Sequence, residues 1–121
     1  MWGDPADAVR ESEKALDLSP LDPQRFFIEM LVAHSYLMAN DLEKAVGMCH
    51  VSLRRNRYYL ATLRILLTAQ YESGQVAEAK ATFQTLLSLQ PGLTLGAFLS
   101  YSRTNPLRQR VAAAMKALGL T

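Results

Sequence analysis

Few side chains in this sequence have the types and spacing to do chemistry. His34, Cys49 and His50 are its soft metal ligands. A structural zinc site takes about four ligands in a tetrahedron, and three ligands, two of them adjacent in sequence, fall short of that. Cys49 has no second cysteine to pair with, which points to a reducing compartment. No Ser-His-Asp set, glycine-rich phosphate loop or paired-carboxylate constellation is present, so the chain is expected to be no enzyme and to carry no cofactor. Asp4, Asp7, Asp17 and Asp22 read as helix caps and solvated surface. One basic-aromatic cluster remains: Arg54, Arg55, Arg57 and Arg64 with Tyr58 and Tyr59. It could pair with phosphates and stack on bases. It could equally be a solvated joint, with arginines near a helix C-terminus where the dipole favours them.

The bulk properties narrow the class. A chain of 121 residues is expected to be one domain, and its 50% apolar content is enough for a continuous core. The net charge of +2 argues against a general nucleic-acid or membrane-surface binder. No apolar run approaches the roughly 18–20 residues that span a bilayer. MWGDPADAV has no basic segment followed by an apolar one, so no signal peptide is expected and the cytoplasm is the default.

The elements that must position these side chains read as helices throughout. Asp4-Pro5 starts a first helix that Pro20 stops, and Asp22-Pro23 starts a second running to Ala39. That second helix is apolar nearly all round, a sign of burial on more than one face. Asn40 ends it or caps the next helix, with Glu43 in a capping-box relation, and that helix runs to Arg55. Helices over 59–73 and 75–89 follow, separated by Gly74 as a left-handed stop. A short helix over 95–101 and a final one capped by Asn105-Pro106 and closed by Gly119 complete an all-α chain.

The segment GQVAEAKATFQTLLSLQP organises the rest. Ala79 and Phe83 lie one turn apart on one helical face, and Pro91 follows Ala79 by twelve residues. Thirty-four residues earlier stand Asn40, Ala45 and Cys49; thirty-seven before those stand Gly3, Ala8 and Ser12, with Pro20 again twelve after Ala8. This is the second half of the tetratricopeptide (TPR) pattern, which stacks helix hairpins into a superhelix. The expected units are an incomplete repeat over 1–20, repeats over 23–57 and 58–92, and a C-terminal cap over 94–121. Residues 1–3 cannot supply the first half of the first repeat, so a fragment is expected, or a start just after a cut. Ala33, Ala45 and Ala79 hold the close approaches, while Tyr36 and Phe83 fill gaps between hairpins. Glu29, Leu67, Gln70 and Arg57 depart from the pattern, and they leave the helix crossing at the Arg57 joint open.

Four stretches, GDPADAVRESEKALDLSPLDP, NDLEKAVGMCHVSLRRN, SGQVAEAKATFQTLLSLQPGLTL and NPLRQRVAAAMKALGLT, carry a further resemblance. The chain resembles the C-terminal TPR region of bacterial multidomain regulators, and most of all the region after the catalytic domain of class III adenylate cyclases. Similar tails occur in bacterial winged-helix transcription regulators. The resemblance implies a non-catalytic regulatory segment of a larger signalling protein, because cyclisation of ATP belongs to a separate α/β domain.

Transferring the groove positions of the repeat gives Phe27, Met30, Leu31, His34, Leu37 and Met38 from the first helix of the second repeat. Ala61, Arg64, Ile65, Thr68, Tyr71 and Glu72 come from the third. Burying apolar side chains of this size is worth roughly 1.5–3 kcal/mol each, so an occupant is expected: an amphipathic partner helix, a missing upstream hairpin, or a second copy. Self-association is expected because the first helix lacks its hairpin mate. The carboxylate-holding positions of chaperone-tail receptors are filled here by Met30, Leu31 and His34, with Arg64 alone matching in charge.

Overall fold

In the computed structural model, residues 5–18, 20–100 and 104–121 are described. They form seven α-helices and, among the described residues, no strand. The expected Asp4 cap lies outside them.

Two helix pairs make the body. The first joins α2 (Arg25–Met38) to α3 (Leu42–Arg55) through residues 39–41. The second joins α4 (Leu60–Glu72) to α5 (Val76–Leu89) through residues 73–75. Both are antiparallel. Near the C-terminal end of α3, the Ser52 hydroxyl donates to the Phe26 carbonyl at the start of α2, at 2.8 Å. In the second pair, the Thr82 hydroxyl donates to Gln70 Oε1 at 2.7 Å, across the α4–α5 turn.

The turns follow the chemistry of their residues. Asn40 takes φ 61°, the left-handed region that asparagine tolerates better than other residues with a Cβ, and closes α2. Gly74 does the same at φ 86° after α4. Asp41, not Asn40, caps α3: its carboxylate accepts from Lys44 N, so the Asn40–Glu43 capping box is replaced by a cap one residue on. The second helix likewise starts later than Asp22-Pro23 suggests. Asp22 Oδ1 accepts from Gln24 N at 2.8 Å, holding a turn that delivers the chain into α2 at Arg25.

The alanines expected at close approaches are inside: Ala33, Ala45 and Ala79 are fully buried, and Tyr36 and Phe83 are buried too. On α3 only Ala45, Cys49 and Ser52 are buried, a single stripe at helical spacing. On α4 the burial runs unbroken from Ile65 to Gln70. This helix is central, and it divides the core in two. Ile65, Leu66 and Ala69 pack with Met30, Leu37 and Cys49, while Leu63 and Leu67 pack with Phe83, Leu86 and Met115.

The remaining helices close the two ends. α1 (Pro5–Asp17) lies on α2 with no fully buried residue. It is held by Val9, Leu16 and a bond from the Tyr36 hydroxyl to Glu13 at 2.5 Å. Burial, and then that carboxylate, push the Tyr36 phenol up to about 12. At the other end, α6 (Leu95–Ser100) and α7 (Pro106–Ala117) return towards α4. Asn105 caps α7 by accepting from Leu107 N and Arg108 N, and Pro106 takes the first helical position. No helix among the described residues is long and apolar enough to cross a membrane.

One exposed position in α3 is suboptimal. A Cβ at Gly47 would meet nothing within 4 Å, and the residue lies mid-helix with ordinary φ. Gly47→Ala is expected to raise stability by about 0.5–1 kcal/mol through the unfolded chain's lost freedom. Urea titration checks it; a lower midpoint would mean that the added methyl group meets a neighbour.

Candidate partner-binding groove

The groove positions sit on α2 and α4, and the structure treats the two halves differently. On α4, Ile65 and Thr68 are buried, and Arg64 and Tyr71 half-buried. α7 lies against this half. Val111 and Leu107 face Met30, His34 and Ile65 across a cavity of about 130 Å³. On α2, Leu37 is fully buried and Met30 nearly so, while His34 and Met38 are half-buried. Phe27 and Leu31 keep 42% and 38% of their surface exposed. These two stand one turn apart, and the turn before α2 adds Leu18 and Leu21, the most exposed large apolar side chains of the described residues.

One side chain of α7 bonds across to two other helices. Arg110 Nη1 donates to the Leu37 carbonyl at 3.0 Å, near the end of α2, where that oxygen also accepts from Asn40 N at 2.9 Å. Its Nη2 reaches Asn40 Oδ1 at 2.9 Å and Glu72 Oε1 at 2.6 Å, and its Nε lies 2.8 Å from Glu72 Oε2. The guanidinium therefore ties three helices, and the Glu72 bonds hold its proton more firmly than usual. Sequence reading of Glu72 as a groove residue and of Arg110 as a tail residue gave no sign that they would meet.

The basic cluster is divided. Arg55 Nε binds both oxygens of Glu29, at 3.0 and 3.1 Å. Arg57 stacks over the exposed Tyr58 ring at 5.5 Å, and Tyr59 meets Phe26 edge-on at 5.0 Å. Arg54 and Arg57 flank an open depression with His50 and Leu53. Arg64 lines the separate cavity under α7. The joint after α3 is thus built from pairing and stacking, and two buried polar side chains are met: Glu29 finds arginines and Gln70 finds Thr82.

The soft ligands are also separated. Cys49 is fully buried, and burial pushes its thiol up, away from the reactive thiolate. His50 is exposed on the same helix, and His34 lines the α7 cavity. Among the described residues, no group of three His, Cys, Asp or Glu side chains could hold a metal ion.

Burial holds the His34 imidazole below its usual range, so the folded protein takes up this proton less readily than the unfolded chain. Stability from this site is fully present above the ordinary histidine value of about 6.5. It is lost as pH falls from there towards the depressed folded value. Denaturant midpoints measured between pH 7.5 and 5 should show an acid-side decline that His34→Gln reduces. An identical decline in that variant would assign it to other groups.

No family model matches this chain, and no match was found among curated proteins or solved structures.

Proposed function

We propose that this chain is a non-catalytic TPR-type interaction scaffold. It acts in the bacterial cytoplasm as the C-terminal regulatory segment of a larger signalling protein such as an adenylate cyclase. Its occupant is an amphipathic partner helix laid along α2. Supporting the repeat reading, α2–α3 and α4–α5 are successive antiparallel pairs, and the thirty-four-residue offset relates Ala45 to Ala79, both fully buried. The partner reading rests on one observation: Phe27 and Leu31, a turn apart, remain over a third exposed where their groove neighbours are covered. Apolar anchors at this spacing suit the i, i+3, i+4 and i+7 positions of a docking helix.

The placement of Leu37 decides how to test this. With no exposed surface, Leu37→Glu would unfold the core before it reported on binding. Phe27→Glu with Leu31→Glu changes exposed positions and should leave the melting curve nearly intact. Helical peptides selected against the chain from a display library should bind at least about tenfold more weakly to that double variant. Undiminished binding would remove α2 as the docking helix. A concentration-dependent dimer abolished by the same changes would assign the surface to a second copy instead. The upstream reading frame decides between a cyclase parent and a winged-helix parent.

A further inference from the structure

Two guanidinium groups share one ring beneath the C-terminal segment. The guanidinium carbon of Arg108 stands 4.3 Å from the Phe98 centroid, and that of Arg64 stands 5.7 Å away. Arg108 is oriented by its bond to the Phe98 carbonyl at 2.7 Å. Arg64 is held differently. Its Nε is buried with no hydrogen-bond partner, and it makes no ion pair with a described carboxylate. Leaving such a donor unmet, beside a like charge, works against folding. Burial, and then Arg108, lower the affinity of Arg64 for its proton, which records the same conflict.

Cation–π contact with Phe98 offsets part of this cost, at roughly 0.5–2 kcal/mol. It supplies no acceptor for Nε. The cavity does have room for one. Both arginines line the 130 Å³ space whose other walls include Met30, Ile65 and Val111, and they also border a shallower cavity of about 330 Å³.

We propose that Arg64 and Arg108 form a binding site for a small organic carboxylate, its apolar body packed against Met30, Ile65 and Phe98. The planar fork of Arg64 matches a carboxylate, and Arg108 adds a second positive charge beside it. The apolar walls favour a monoanion with a hydrocarbon body over phosphate, whose remaining oxygens would lose water against Met30 and Val111. His34, kept neutral by burial, adds no third cation.

Benzoate and inorganic phosphate are the probes, titrated into the full chain at matched ionic strength and followed by calorimetry and thermal melting. Benzoate should bind saturably and raise the melting temperature. Arg64→Met should weaken benzoate by about tenfold or more while leaving the ligand-free melting temperature equal or higher, because it removes an unmet donor and a like-charge contact. A purely structural Arg64 would instead lose stability on this change. If Arg64→Met does not fold, Arg64→Lys, with the charge but not the planar fork, should weaken benzoate similarly. Absence of saturable binding, equal response to phosphate, or benzoate binding unchanged in the variants would each overturn the assignment.

Discussion

Replacing Arg25 and Arg55 together with alanine is expected to cost about 3–5 kcal/mol, the usual penalty for stranding a buried charge. The stranded group is Glu29, 1% exposed at the packed junction of α2 and α3. Arg55 holds it from the end of α3, and Arg25 approaches from one turn earlier on α2, at 3.4 Å. Either arginine alone leaves a counter-charge, so each single change should cost clearly less than the pair. Removing the carboxylate is a different experiment. Arg55 is 49% exposed and can turn into water once Glu29 is gone, so Glu29→Leu should be milder than the double arginine change. Domains of this size carry about 5–15 kcal/mol in all, so the double change takes a large share. Urea unfolding followed by circular dichroism reads the order directly. A double arginine variant as stable as the parent, or one less affected than Glu29→Leu, would show that Glu29 is not held by these two partners.

Arg110→Ala is expected to lower stability by about 2–3 kcal/mol, since charge-assisted bonds of this kind contribute roughly 1.5–3 kcal/mol. The loss should be local. Arg110 joins α7 to the Leu37 carbonyl, to Asn40 and to Glu72, while the α2–α3 pair keeps its own contacts through Ser52 and Glu29. Amide hydrogen exchange should therefore quicken over residues 106–117 and leave α3 near its original protection. Arg110→Lys keeps one charge but cannot span the three acceptors at once, so it should recover only part of the loss. Uniform acceleration along the chain, or none, would mean that apolar packing of Val111 and Met115 positions α7 without this side chain.

Both effects rest on pairs that the sequence did not announce. Glu29 and Arg25 sit four apart on α2, a spacing that suggests an exposed helical pair, and nothing in it implies that the carboxylate would be buried against Arg55. Likewise Arg110 lies seventy residues from Asn40 and thirty-eight from Glu72. Long-range meetings of this kind depend on how helices cross, which periodicity does not encode. The fork of Arg64 and Arg108 around Phe98 has the same origin: one arginine belongs to α4, the other to the tail.

What the sequence determined by itself is local. Apolar spacing, Gly74 and the Asn105-Pro106 start specified the helices, and Ala45 and Ala79 their buried faces, because each is a property of one turn or one face. The helix starts shifted by a residue or two: Asp41 rather than Asn40 caps α3, and Asp22 holds a turn before α2 instead of capping the helix. Only the tertiary structure decided which of the apolar residues on α2 stay exposed, which side of α4 the tail covers, and which charges meet. Those outcomes are fixed by packing between distant segments, where one long arginine can reach acceptors that the fold brings near it.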